Sequence, residues 1–282
     1  MTGAHAAANL PENAIGLGLR REFLDDLLAH TQSDIHFFEL APENWIGFGG
    51  RPEQQLRQLT DIYPFICHGL SLSIGGPEPL DMNLLEAVGD FMQEHGIQHY
   101  SEHLAFCSDR GQLYDLLPLP LTEEMLEYVA QRVMQVQDFL KMPLIIENTA
   151  YYGDYAHSTM SEQDFLLGLL AKSGCKLLLD LNNLYVNSCN HHYDALEFMQ
   201  FLPAERIVYQ HIAGHQQHVN GWLIDTHDAA VDPAVWKLLQ HSREQFGPKP
   251  TLLEWDNQIP PLTDLLREAR KIAPQTAAHA DF

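Results

Sequence analysis

Short apolar runs alternate with longer amphipathic stretches along almost the whole chain. The runs read as buried strands: AIGLGL (14–19), IHFFEL (35–40), PFICH (64–68), QHYSEHL (98–104), PLIIE (143–147), KLLLD (176–180), RIVYQH (206–211) and TLLE (251–254). Between and after them, helical spacing recurs near Arg21–His30, over Glu53–Tyr63, near Met82–His95, and over Thr122–Lys141 and Ser161–Ser173. It returns near Tyr193–Leu202 and over Pro233–Gln245 and Leu262–Ile272. Helix starts carry suitable caps at Thr122, at Ser161 and at Asp232-Pro233.

Eight strand-then-helix units predict a (β/α)8 TIM barrel, because right-handed crossovers between parallel strands close that way. The competing architecture is a doubly wound open sheet, which has no preference for eight units. Its GxGxxG signature follows none of the strands. With no internal repeat and no linker, the 282 residues are expected to form a single barrel domain. Its ordered core would span about 14–272, with short flexible termini.

Composition narrows the partners. The formal charge is −22, with 16 Lys and Arg against 38 Asp and Glu. Phosphate binding rests on cationic side chains that displace counterions, so no nucleic-acid partner is expected. Bound multivalent cations or a basic partner would offset such a charge. Cys67, Cys107, Cys175 and Cys189 show no CxxC and no framework spacing, which suits reduced thiols. Cys67 should turn toward the helices when His68 faces the barrel, and Cys107 and Cys189 read as loop residues. The start has neither a basic n-region nor a continuous apolar core, and no run reaches membrane-spanning length. A cytoplasmic protein with no membrane partner is expected.

The strand ends carry the chemistry. His68, His103, Glu147, Asp180, His211 and Glu254 stand at or beside the C-terminal ends of six successive strands, where a barrel of this kind collects its functional residues. Any one of them alone is more simply a core histidine or a helix cap. Six together predict a metal cluster, since imidazoles and carboxylates are rarely buried unless paired or ligating. Two local spacings add to it. Asp180-Leu-Asn-Asn183 places an amide three residues after an acid, in the following turn. Asp225-Thr-His227 offers alternate residues of a loop to one ion. Glu147 can bridge two ions through its two oxygens. Nitrogen and oxygen donors without thiolate favour iron, manganese or zinc.

These residues sit in motifs that cover nearly the whole chain: GLGLR (16–20), FELAPENW (38–45), CHGLSLSIGG (67–76), SEHLAF (101–106), IIENTAYY (145–152), LLLDLNNLYVN (177–187), HIAGH (211–215), DTHD (225–228) and LLEWDN (252–257). In them the chain resembles the multinuclear non-heme iron-dependent oxidases, the family that includes the iron subunit of methanobactin biosynthesis. The resemblance implies a xylose-isomerase-like barrel, of the superfamily that includes endonuclease IV, with two or three iron ions. One ion would be held by His68 and His103 and bridged through Glu147 to a second, which adds Asp180, His211 and Glu254. A third would take Asn183, Asp225 and His227. Where the endonuclease pattern has histidine this chain has Asn183, and an amide oxygen suits iron better than zinc.

Strand alternation turns only one of Glu102 and His103 inward. We take His103 as the ligand and place Glu102 with the pocket-wall candidates Asn44, Asn148, Tyr151, Tyr152 and His215. The resemblance further implies O2-dependent oxidation of a Cys-containing precursor peptide, assisted by a leader-binding partner protein. The alternative reading is a divalent-metal hydrolase or isomerase on the same barrel, like endonuclease IV or a sugar isomerase, with zinc or manganese in place of iron.

Overall fold

The computed structural model describes residues 10–30 and 34–274. The flexible termini expected beyond 14 and 272 fall mostly outside those residues. Eight parallel strands form one closed barrel: β1 (Ile15–Gly18), β2 (Phe37–Leu40), β3 (Phe65–Gly69), β4 (Tyr100–His103), β5 (Ile145–Glu147), β6 (Lys176–Asp180), β7 (Ile207–Ile212) and β8 (Thr251–Leu253). Pairing is sequential, and β1 closes onto β8. The strands are short because each is buried on both faces and is bounded by the turn residues read from the sequence.

Helices pack outside the barrel: α1 (Leu24–Ala29), α2 (Arg51–Thr60), α3 (Met82–His95), α4 (Glu123–Leu140), α5 (Glu162–Ser173), α6 (Leu181–His191), α7 (Ala195–Gln200), α8 (Pro233–Phe246) and α9 (Leu262–Ala269). The expected caps form. Thr122 accepts from the Met125 amide, Ser161 from Asp164 and Asp232 from Ala234. Among the described residues no helix is long and apolar enough to cross a membrane.

Alternation divides the buried residues into two sets. Every second residue faces the helices and joins the large shell that includes Leu17, Phe38, Cys67, Tyr100, Ile146, Leu177, Leu179 and Leu253. The others fill the barrel. Their lower layer is apolar, from Ala14, Phe37, Ile66, Ile145, Leu178, Tyr209 and Leu252. Two residues further along six of those strands come Glu39, His68, Glu147, Asp180, His211 and Glu254. Period two therefore stacks a ring of ionisable groups directly on an apolar plug.

The structure corrects the sequence reading at three places. The LNNLYVNSCN stretch after β6 is the helix α6, so Asn183 stands in a first helical turn and Cys189 on a helix. Residues Phe106–Ser108 and Gln112–Leu117, read as loop, form an antiparallel hairpin, and Cys107 lies in its first strand with its thiol toward the Leu70 carbonyl. A second small hairpin joins Gln216–Gln217 to Leu223–Ile224.

Candidate metal centre

Three groups of ligand atoms gather at the C-terminal mouth. The first is His68, His103 and Glu147. His68 Nε2 lies 3.1 Å from Glu147 Oε2, and His103 Nε2 lies 3.3 Å from the same oxygen. The register that pairs His103 with Glu147 across β4 and β5 places them side by side. The second is Glu147, Asp180, His211 and Glu254. His211 Nδ1 stands 3.0 Å from Glu254 Oε2 and 3.7 Å from both Glu147 Oε1 and Asp180 Oδ2. Glu147 belongs to both groups, one oxygen to each. The third joins His227, Glu254 and Asp256, and Asp225 Oδ1 lies 2.6 Å from His227 Nε2.

His68, His103 and His211 each have one ring nitrogen held from behind and the other turned to the cluster, whereas His227 turns Nδ1 to Glu254 and Asp256 and Nε2 to Asp225. His68 Nδ1 meets Ser101 Oγ at 2.7 Å, and His103 Nδ1 donates to the Gly69 carbonyl at 3.0 Å. His211 Nε2 donates to Glu39 at 3.1 Å, and His227 Nδ1 to Asp256 Oδ2 at 3.3 Å. Such partners fix which nitrogen keeps a lone pair. At the centre, Glu147 Oε2, Asp180 Oδ2, Asn183 Oδ1, His211 Nδ1, His227 Nε2 and Glu254 Oε2 are buried without a hydrogen-bond partner. Several lie within ion-pair distance of one another, so protons bridge them when no cation does. Buried polar atoms are nearly always satisfied, so six orphans on one centre fit metal ions held by oxygen and nitrogen.

Protons hold this cluster together in the metal-free protein. Burial works against the His68 cation, but the carboxylates of Glu39 and Glu147 overcome it and push its pKa up to about 9. Burial and then the His68 charge bring His103 down to about 4. Burial would raise Glu147, yet His68 and His103 hold it well below the carboxylate range. Asp180, fully buried beside Glu147, is driven well above its ordinary value. His211 and His227 rise despite burial, His211 because of Glu39 and Glu254, His227 because of Asp225 and Glu254. Cations would displace those protons.

The loops that carry the third group are tied down. Asn182 Nδ2 donates to Asp225 Oδ1 at 2.6 Å, and His215 Nδ1 meets Asn182 Oδ1 at 2.8 Å. The Asp225 amide donates to Tyr152 Oη, 2.8 Å. His227 adopts a left-handed φ of 48° and donates its amide to the Gly214 carbonyl. A Cβ on Gly214 would lie 2.1 Å from the Ala229 carbonyl, so only glycine lets this loop press onto the end of β7.

Of the pocket-wall candidates, Tyr152 and His215 thus brace Asp225. Asn44 lines a groove from the mouth to Trp45 and Phe48, bordered by His68, Glu39 and Glu254. Asn148 ties β5 to β6 through both backbone groups of Asp180, and Tyr151 stacks on His191 at 4.0 Å. Glu102 faces outward, as alternation required. It accepts from Tyr100 Oη at 2.5 Å, and burial beside Glu43 pushes it up to about 8. Gly69 makes room for it, since a Cβ there would lie 2.0 Å from Glu102 Oε1. Sequence reasoning missed Glu39, Asp256 and Ser101. Glu39 was within reach, standing two residues past inward-facing Phe37.

The chain is 50% identical over 267 residues to a UPF0276 protein of Nitrosospira multiformis, covering 95% of this chain and 94% of that one. It is 49% identical over 257 residues to a UPF0276 protein of Pseudomonas aeruginosa, covering 91% and 90%. Among solved structures, endonuclease IV from Thermus thermophilus superposes with a TM-score of 0.59 at 16% identity, covering 91% of this chain and 97% of that one. The 3-keto-D-glucoside 4-epimerase of E. coli gives 0.59 at 12%, covering 90% and 96%. At such identities the likeness is one of fold, the xylose-isomerase-like TIM barrel. A family model described as RiPP precursor modification enzyme MbnB/TglH/ChrH matches residues 14–277, and the chain belongs to that family.

Proposed function

We propose that the protein is a multinuclear iron, O2-dependent oxidase that modifies a ribosomally made precursor peptide at cysteine. The observation that carries the metal part is the set of donor atoms on one centre, from imidazoles whose other nitrogens are held and from carboxylates that each keep one oxygen without a hydrogen-bond partner. His68, His103 and Glu147 would hold one ion. Glu147, Asp180, His211 and Glu254 would hold a second, and Asn183, Asp225 and His227 a third. When bound, iron would supply O2 activation and a site where a cysteine thiol deprotonates. Family membership supports a peptide substrate. So do exposed apolar side chains in the segments that follow the strand ends, Phe48, Leu70, Tyr152 and Val219, with Leu113 and Tyr114 on the hairpin strand.

The chain's own residues orient and shield. The groove past Asn44, Trp45 and Phe48 reaches His68 and Glu254, giving an extended peptide a path to the centre. Arg21 stacks over Phe48 at 4.3 Å and Trp45 at 5.2 Å, which stiffens that wall. The apolar plug beneath the ring closes the barrel to water from below. A leader-binding partner protein would present the peptide at the rim.

The test is metal analysis of protein purified without oxygen, followed by O2 uptake with a Cys-containing precursor peptide encoded beside the gene. Two to three irons per chain and peptide-dependent uptake are expected. Zinc as the sole metal, with uptake at background, would point instead to a hydrolase or isomerase.

A further inference from the structure

Beneath the ligand ring runs a buried chain of hydrogen bonds that crosses the barrel. It starts at His68 on β3, whose Nδ1 meets Ser101 Oγ on β4 at 2.7 Å. Ser101 Oγ lies 2.8 Å from Tyr209 Oη on β7, and Tyr209 Oη donates to Glu39 Oε2 on β2 at 2.6 Å. Glu39 also accepts from His211 Nε2, at 3.1 Å. Ser101, Tyr209 and His211 are wholly buried, and Glu39 and His68 are 4% and 5% exposed. His68 and His211 belong to different ligand groups, so the chain links the first to the second underneath Glu147.

The order of donors along it is set from one end. A carboxylate oxygen accepts, so Glu39 receives hydrogen bonds from the Tyr209 hydroxyl and from His211 Nε2–H. Tyr209 Oη has spent its hydrogen on Glu39 and can only accept from Ser101. The serine hydrogen is then committed, either to Tyr209 or to the Cys67 carbonyl 3.3 Å away. In both cases Ser101 Oγ accepts from His68 Nδ1. Ligation would then fall to His68 Nε2 and His211 Nδ1, the nitrogens that face the cluster. Buried polar groups must be satisfied somehow. What exceeds that need is that one carboxylate fixes two imidazoles on opposite walls.

We propose that Glu39, Tyr209 and Ser101 act as one positioning unit that sets the ring orientation and tautomer of His68 and His211 together, so that the two metal positions are coupled through the barrel floor. This rests on the metal-binding part of the reading above, and not on the oxidation it serves. Tyr209 is the decisive member, since its hydroxyl touches neither histidine nitrogen and lies between the two halves.

The test is titration of metal-free, full-length protein with Co2+ alone, with a competing chelator, in wild type, Tyr209→Phe, Ser101→Ala, Glu39→Gln and the Ser101→Ala/Glu39→Gln double variant. Loss of a partner behind a ligating histidine costs about 10- to 100-fold in metal affinity. Tyr209→Phe is expected to weaken both of the first two equivalents by about 10-fold or more. It should also broaden the far-shifted exchangeable N–H proton signals of both His68 and His211 in the cobalt protein. In the double variant the two losses should fall short of multiplying, and Ser101→Thr, which keeps the hydroxyl, should restore wild-type affinity.

If Tyr209→Phe binds both equivalents like wild type, or the single losses multiply, the relay is overturned while the metal centre stands. Wild type that takes up no cobalt overturns both. Melting of the metal-free variants checks folding. Should Tyr209→Phe fail it, the Ser101/Glu39 cycle decides alone.

Discussion

Replacing Glu147 by Gln removes one negative charge while keeping the side chain's shape, and its effect can be worked out before any metal is added. Glu147 Oε2 lies 3.1 Å from His68 Nε2. At an effective dielectric of about 20 that separation corresponds to roughly 5 kcal/mol of attraction. The rise of His68 from 6.5 to about 9 is a net preference for the cation on the order of 3 kcal/mol. Glu39 remains as the larger source of attraction, so His68 in Glu147→Gln should titrate below 9, with burial opposing its charge more effectively.

Linkage gives the consequence for stability. A histidine raised from 6.5 to about 9 contributes stability that is fully present below pH 6.5 and is lost as pH rises through 9. The metal-free wild type should therefore lose stability across that window, and the variant should lose less of this component. The assay is NMR titration of the imidazole Cε1 protons in metal-free protein, with urea unfolding at pH 6.5 and 9. A His68 that still titrates near 9 in Glu147→Gln would refute the electrostatic account of this site.

With iron added without oxygen, Glu147→Gln should disturb the first two positions together and Asp225→Asn chiefly the third. Equal loss of every metal from both variants, read by elemental analysis, would sink that ligand assignment. Metal uptake near neutral pH should release protons from His68, His211, His227 and Asp180, seen as a buffer-dependent heat in calorimetry. A buffer-independent heat would contradict it. Gly69→Ala must displace the Tyr100–Glu102 pair from a contact of 2.0 Å, at a cost of about 1–3 kcal/mol in urea unfolding, and should loosen His103, whose Nδ1 rests on the Gly69 carbonyl. An unchanged midpoint would show that the strand end yields freely.

The eight strands were readable in order because each is an apolar run closed by a polar residue, and a strand buried on both faces leaves that trace. Their ends carried the ring of ionisable groups for the same reason. Other parts were hidden by long-range contacts. The helix α6 opens with Leu-Asn-Asn and carries further asparagines, a composition that favours turns. It is helical because Asn182, Asn183 and Asn187 are bound by Asp225, Asn148 and Thr149 from other elements. The hairpin strand Gln112–Leu117 is half exposed and lacks an apolar period. Asp256 follows β8 in an ordinary loop, and its role comes from His227 and Arg20, far off in sequence. Ser101 and Tyr209 look like any small or aromatic strand residue until β3, β4 and β7 are brought together.

Stacking the ionisable ring on an apolar plug divides the labour between two storeys of one barrel. The lower storey is held by packing and needs no ion, so its backbone amides should resist deuterium exchange whether or not metal is bound. The upper storey, stripped of metal, gathers carboxylates whose oxygens lack partners, and its strand ends should open on a much shorter timescale. Loading would then resemble setting a keystone into a finished wall. The fold would offer a formed socket, and each ion would satisfy side-chain oxygens that otherwise lack partners.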